Sequence, residues 1–331
     1  GMQVLAYYSG KTFDSVSARL QKQCDVWREA AMLTDDELAQ MIADDAVDIL
    51  IDLSGHTGGN RLPVFARQPA PVQATWLGHP ATTGLPGMHW RITDMHAEPP
   101  GMTEHLNSER LYRMPDVFCC YRPSASPDPY PGLPADDSGR FTFGCFNNFA
   151  KVTPPVIACW GEILRQSPQA RLLLEVHGAQ DEAFVQDIRQ RFVATGARAE
   201  QIDILPRQNN QQYVLYRQVD LALDPFPCCG GTTSCDSLWM GTPFVSLAGR
   251  TFVSRMGVTL LHSVGLDELI ADNEAQYIAT AVALANDLPR LRALRKGLRE
   301  RVAASPLMNA PRFALHFGQA LQAMWAQREE R

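Results

Sequence analysis

The residues best placed to do chemistry lie between Val219 and Gly241. A strand-like run, Val219-Asp220-Leu221-Ala222-Leu223-Asp224, leads into Pro225-Phe226-Pro227-Cys228-Cys229-Gly230-Gly231, and a helix is predicted to open at Thr232-Thr233-Ser234. Ligands of open α/β sheets bind beyond the carboxyl ends of the strands. Gly230 and Gly231 let the backbone come close to a ligand, and the free amides of a helix start, with the Thr232 and Thr233 hydroxyls, can bind an anion. The helix dipole alone contributes only ~0.3–2 kcal/mol, so a phosphate there calls for a cationic side chain. Lys151, in Phe146-Asn147-Asn148-Phe149-Ala150-Lys151, falls between a strand end and the helix start at Thr153-Pro154, which makes it the candidate. Asp236, one turn into the later helix, is placed to accept hydrogen bonds from a ribose. His56 and His79 sit in glycine-bearing loops at strand ends. Each has a plainer reading as well: Thr232 as a simple cap, Lys151 as a solvated cation, Asp236 as a charge favourable to a helix start, and the histidines as ordinary loop residues. The glycine spacing fits neither a P-loop nor a GxGxxG fingerprint.

The elements that must position these residues alternate between strand and helix. Gln3–Tyr8 reads as a strand, and Thr34-Asp35-Asp36-Glu37 as a capping box opening a helix whose apolar stripe is Leu38, Met41 and Ile42. Val47–Leu53 is a short apolar strand running into Ser54-Gly55-His56-Thr57-Gly58-Gly59, and Val72, Ala74 and Trp76 alternate as a second strand. Residues 122–139 are rich in Pro, Ser and Asp, the composition of a linker. Beyond them come a strand at Arg140–Phe146 and a helix with Val156, Ile157, Trp160, Ile163 and Leu164 on one face. Further strands follow at Arg171–Val176, Ile202–Leu205 and Phe244–Leu247, with helices around Phe184–Phe192, 232–240, 274–288 and 311–327. The fold class expected is α/β, with two doubly wound lobes of parallel sheet covered on both faces. The division expected is an N-terminal lobe at 1–125, a linker at 126–139, a C-terminal lobe at 140–310, and a helix from 311 to 331 returning toward the N-terminal lobe.

Composition excludes several classes. Thirty Lys and Arg against 36 Asp and Glu leave a formal net charge of −6 over 331 residues, so there is no bulk attraction for nucleic acid or anionic membrane. Apolar runs fall far short of the ~20 residues that cross a bilayer. The eight cysteines form no CxxC pair, and the eight histidines show no HExxH spacing, so buried reduced thiols, no metal site and a cytoplasmic location are expected.

Five stretches together resemble the O-GlcNAc transferase/SPINDLY family of protein O-glycosyltransferases. They are DILIDLSGHTGG from Asp48, RQPAPVQATWLGHPATTGLP from Arg67, RITD from Arg91, FGCFNNFAKVT from Phe143 and DLALDPFPCCGGTTSCDSLWMGTPFVSLAG from Asp220. The likeness runs in order to Trp325 and leans to the SPINDLY branch through GHT, TTGLP and FNNFAK. It implies a GT-B fold with a nucleotide sugar held mostly by the C-terminal lobe. It further implies inverting transfer without metal or other cofactor to Ser/Thr hydroxyls of proteins, from UDP-GlcNAc or GDP-fucose. Carried over by position, Lys151 would neutralise the departing diphosphate, Gly230, Gly231, Thr232 and Thr233 would bind it, Asp236 would hold the ribose and Asn148 would lie against phosphates or sugar. Arg207, Gln212 and Tyr213 fall on the nucleotide side. Gln212 replaces a base-stacking histidine of many relatives, with Tyr213 as the substitute stacker, and Gly231 stands where animal enzymes have histidine. The proton acceptor is left among His56, a phosphate oxygen and a water chain. The family's leading strand and helix, and the tetratricopeptide repeats that recruit substrate proteins, would lie ahead of this chain. Two further readings stay open: a nucleotide-diphosphate-binding fragment without transfer, and transfer to a non-protein acceptor.

Overall fold

The structure is a computed structural model and describes residues 1–207 and 212–328, the side chain of Gln212 excepted. The chain divides into two compact units. The first comprises Gly1–Ile92, Glu104–Tyr112 and Gly318–Arg331, and the second Thr93–Thr103 and Arg113–Phe317.

In the first unit, β1 (Leu5–Tyr8), α1 (Ser15–Gln21) and β2 (Val26–Glu29) come first, and β1 pairs with β2 in parallel as a sheet of two strands. Next is α2 (Asp35–Asp44), which starts at a complete capping box. Thr34 Oγ1 accepts from the Glu37 N–H at 3.2 Å, and the Glu37 carboxylate accepts from the Thr34 N–H at 2.8 Å. Leu38 and Ile42 are buried, and Met41 is partly so. Then follow β3 (Ile49–Asp52), α3 (Leu62–Ala66), β4 (Val72–Thr75), β5 (Trp90–Asp94) and β6 (Arg110–Met114), in the sheet order β3-β4-β5-β6, with β3, β4 and β5 mutually parallel. The region expected to form one sheet therefore forms two. A period of two marks a run as extended and does not say which strand it pairs with.

The second unit holds α4 (Pro134–Ser138), β7 (Thr142–Cys145), α5 (Pro154–Gln166), β8 (Arg171–Val176), α6 (Glu182–Val193), β9 (Ile202–Pro206), α7 (Gln212–Leu215) and β10 (Leu221–Leu223). It continues with α8 (Thr232–Trp239), β11 (Phe244–Leu247), α9 (Met256–Ser263), β12 (Ile270–Ala271), α10 (Glu274–Asn286), α11 (Leu288–Arg295) and α12 (Leu298–Ala304), after which α13 (Ala310–Ala326) ends the chain's helices. Six strands lie in the order β12-β11-β10-β7-β8-β9, every neighbouring pair parallel. The order turns between β7 and β10: successive strands step outward from β7 on one side and from β10 on the other. A reversal of this kind opens a crevice at the carboxyl ends of the two strands.

The predicted α5 stripe is fully realised, since Val156, Ile157, Trp160, Ile163 and Leu164 are all buried. Trp160 donates its indole N–H to the Tyr277 hydroxyl at 3.2 Å. Residues 126–139 are tied down within this unit. Arg295 donates to the Gly132 carbonyl at 3.1 Å, Arg299 to the Pro127 carbonyl at 2.7 Å, and Arg292 pairs with Asp136 at 2.5 Å. The eight cysteines are all unpaired thiols.

Candidate functional site

The two segments singled out from the sequence come together at the β7/β10 switch point. After β7 the chain makes a short 3-10 turn, Phe149–Lys151, capped by Asn148, whose side-chain oxygen accepts from the Ala150 N–H at 3.1 Å. That turn carries Lys151 across to the loop after β10, where its ammonium donates to the Cys229 carbonyl at 2.7 Å. Beside it, Asn147 is buried, and its amide oxygen accepts from the Thr233 hydroxyl at 2.8 Å. The β7 loop is thus bonded once to the loop after β10 and once to the start of α8.

Gly231 is the N-cap of α8, so Thr232 and Thr233 are its first two helical residues. Thr232 is exposed, and the Thr233 carbonyl accepts from the buried Tyr216 hydroxyl at 2.7 Å. Among the described residues no acceptor stands against the N–H groups of Gly231, Thr232 and Thr233. These are orphan donors of a helix start, and they carry its partial positive charge. Gly230 is required sterically: a Cβ there would fall inside the Ser234 hydroxyl and lie 3.1 Å from Asn147 Nδ2. At Gly231 a Cβ would meet no protein atom within 4 Å, so that position opens outward.

One residue that sequence reasoning left without a role sits behind this turn. Asp224, the residue after β10, is 2% exposed and accepts from the Gly230 N–H at 2.7 Å. It closes the strand-like run six positions ahead of Gly230, and no local pattern marked it out. Asp236 is 3% exposed, and its carboxylate accepts from the Tyr121 hydroxyl at 2.6 Å. Burial raises its pKa, and the hydrogen bonds from Tyr121 and Tyr213 act against that rise. Tyr121 lies 115 positions away along the chain, and no local pattern pointed to it.

Tyr213, expected from the resemblance as a substitute base stacker, is buried. Its ring is 5% exposed, and its hydroxyl accepts from the Ser124 N–H at 3.0 Å, so its faces are spent on the core. Gln212 contributes backbone to α7, but its side chain lies outside the described residues. Arg207 is exposed just beyond β9, its N–H bonded to the Val176 carbonyl at 3.2 Å.

His56 belongs to the first unit, on the loop after β3. Its Nε2 stands 3.2 Å from the Thr82 carbonyl, and its ring meets His79 edge to face at 5.7 Å between centroids. Burial, and then the His56 ring, lower the pKa of His79.

A groove of about 680 Å³ also opens at the ends of β10, β11 and β12, lined by Phe226, Pro227, Leu247, Gly249, Arg250 and Asn273 among others. Its volume lies within the ~300–1,000 Å³ of small-molecule sites. No described helix is long and apolar enough to cross a membrane.

Comparison with known proteins bears on the fold and the family. The plant SPINDLY protein of Arabidopsis thaliana, described as a probable UDP-N-acetylglucosamine–peptide N-acetylglucosaminyltransferase, is 42% identical over 314 residues, covering 93% of this chain and 34% of its own. The Arabidopsis protein SEC, described by the same activity, is 30% identical over 322 residues, covering 93% of this chain and 32% of its own. The chain therefore spans about a third of the length of these relatives. A mutant O-GlcNAc transferase of Thermobaculum terrenum superposes with a TM-score of 0.91 at 35% identity, over 98% of this chain and 61% of that one. The fold is accordingly of the GT-B class. The profile of glycosyl transferase family 41 matches residues 8–121 and 129–317. With that match spanning both units and the switch-point turn, this chain belongs to glycosyl transferase family 41.

Proposed function

We propose that this chain holds the donor-binding and transfer machinery of a protein O-glycosyltransferase, moving a sugar from UDP-GlcNAc or GDP-fucose to Ser/Thr hydroxyls. One observation carries the reading. At the switch point Lys151 offers an ammonium bonded to a neutral carbonyl, next to the three orphan amides of Gly231, Thr232 and Thr233. Such a cluster suits a diphosphate that gains charge as it leaves.

In the reaction, the acceptor oxygen attacks the anomeric carbon on the face opposite the diphosphate. The bond from that carbon to the diphosphate oxygen breaks, and configuration inverts. Lys151 exchanges its carbonyl partner for a phosphate oxygen, and the amides take the developing charge without a metal ion. Asn148, exposed at the same edge, meets phosphates or sugar. Asp236 serves the ribose from one turn into α8. The hydroxyl proton passes to His56, to a phosphate oxygen or along a water chain. The acceptor is a protein, brought by tetratricopeptide repeats outside this chain.

Calorimetry with UDP, GDP and both nucleotide sugars, followed by transfer to a peptide pool, tests this. Lys151→Ala is expected to cut turnover about 10²–10³-fold; full activity in that variant would remove Lys151 from the mechanism. His56→Ala should lower turnover and leave donor affinity unchanged if His56 is the base, and unchanged turnover would assign the proton to phosphate or water. Binding with no turnover on any peptide would overturn transfer to proteins.

A further inference from the structure

Asp224 lies directly behind the amides that the proposed function gives to the diphosphate. One carboxylate oxygen accepts from the Gly230 N–H at 2.7 Å and from the Ser234 hydroxyl at 3.4 Å, and the other accepts from the Ser246 hydroxyl on β11 at 2.7 Å. From α10, the Tyr277 hydroxyl donates to the Asp224 carbonyl at 3.0 Å. Gly257 of α9 closes the far side, where a Cβ would come within 2.6 Å of the carboxylate. The titratable groups facing Asp224 are Lys151 beyond β7, Cys145 on β7, Cys229 on the turn and Tyr277 on α10. Burial pushes the Cys145 thiol up to about 12 and holds Cys229 and Tyr277 well above their ordinary values, so these three stay neutral.

We propose that Asp224 is a positioning residue for the diphosphate-binding turn and that it takes up a proton when a diphosphate binds. The first part follows from the bonds: by holding the Gly230 N–H inward and Ser234 beside it, the carboxylate leaves the next three amides facing out. The second follows from charge. An ionised carboxylate and a bound diphosphate would face each other across one glycine turn, and Lys151, the cation between them, would be drawn to the phosphate. A cavity of about 10 Å³ lined by Asp224, Asn147, Thr233 and Ser234 has room for about one water at most and none for a hydrated counter-ion. A proton is what can enter, and two like charges so placed favour the neutral form of the carboxyl. Burial has already brought this group to about 6, against the pull of the Gly230 and Ser246 hydrogen bonds and Lys151. A modest further rise therefore reaches the physiological range. Once protonated, the group still offers an oxygen to Gly230.

This inference rests on the proposed function, because it needs a diphosphate on the turn. The experiment is calorimetry of the full chain with UDP-GlcNAc and GDP-fucose, whose diphosphates do not titrate between pH 5 and 8, in buffers of differing ionisation enthalpy. Wild type should take up about half a proton per donor near pH 6.5, with affinity falling up to about tenfold from pH 5.5 to 7.5. Asp224→Asn keeps an acceptor for Gly230 and should show no such uptake and a flat affinity over that range. Ser246→Ala removes a donor to the carboxylate and should move the uptake window to higher pH, which keeps the test decisive if the Asn variant does not fold. Uptake equal in wild type and Asp224→Asn, or a window unmoved in Ser246→Ala, would overturn the inference alone. Failure of both donors to bind would overturn the proposed function, and the inference with it.

Discussion

Asp236 sits in the buried first turns of α8 with the Tyr121 hydroxyl 2.6 Å from its carboxylate. Desolvation raises its pKa above the ordinary 3.8, and the Tyr121 and Tyr213 hydrogen bonds hold the rise down. The sign of the linkage follows. A carboxyl that binds its proton more tightly when folded contributes most below the ordinary carboxylate pKa, and that contribution is lost as pH rises through the folded value. Removing the hydroxyl in Tyr121→Phe takes away a donor that favours the charged form, so its cost falls mainly on the ionised state. The expected loss is about 1–3 kcal/mol at pH 7.5 and clearly less at pH 4. Urea unfolding at both pH values checks it. An equal loss at the two would mean that the hydroxyl packs without stabilising the charge.

At the level of elements, each unit ends a strand with an aspartate that grips a glycine turn. Asp52 accepts from the Gly55 N–H at 2.8 Å after β3, and Asp224 accepts from Gly230 at 2.7 Å after β10. The second turn leaves no room for a side chain at Gly230, where a Cβ would also lie 3.0 Å from Thr233 Oγ1. Overpacking of this kind costs about 1–3 kcal/mol, so the turn is expected to shift instead. Gly230→Ala should therefore weaken donor binding by about tenfold or more in calorimetry; an unchanged affinity would mean that the turn does not bind the diphosphate. This turn was legible in the sequence because its signals are local: a strand, two glycines, then hydroxyl residues opening a helix. The α5 stripe and the Thr34 capping box were legible for the same reason. Strand order was not, since pairing is decided by groups far apart in sequence, and so the switch point and the separate β1–β2 sheet came only from the structure. Tyr121 reaches Asp236 across 115 positions, and the strand-end Asp224 looks like any other polar residue until its partners are seen. The burial of Tyr213 was not legible either, because residue type does not reveal burial.

Across the whole molecule, apolar side chains gather into separate cores. Leu38, Ile42, Val64, Phe65 and Met88 belong to the smaller one, in the first unit, while the larger surrounds Trp160, Phe143 and Phe192 in the second. The first unit also leaves Val4, Phe13, Val16 and Leu20 exposed. A small core buries a lower share of its chain's surface and holds less stability in reserve. Unfolding should then occur in two steps, the first unit opening at the lower denaturant concentration. Substitutions placed in the two cores assign the steps. Thr34→Ala removes the hydroxyl that accepts from the Glu37 N–H in the α2 capping box and should move only the earlier transition, by about 1 kcal/mol. Trp160→Ala empties a fully buried site and removes the donor to the Tyr277 hydroxyl, and should move only the later transition, by about 3–5 kcal/mol. Hydrogen exchange read on peptides from α2 and α5 separates the two events. A single transition displaced by both substitutions would show that the cores unfold as one body. The Asp224 turn, which draws its rigidity from the larger core through Tyr277, would then owe part of it to the smaller.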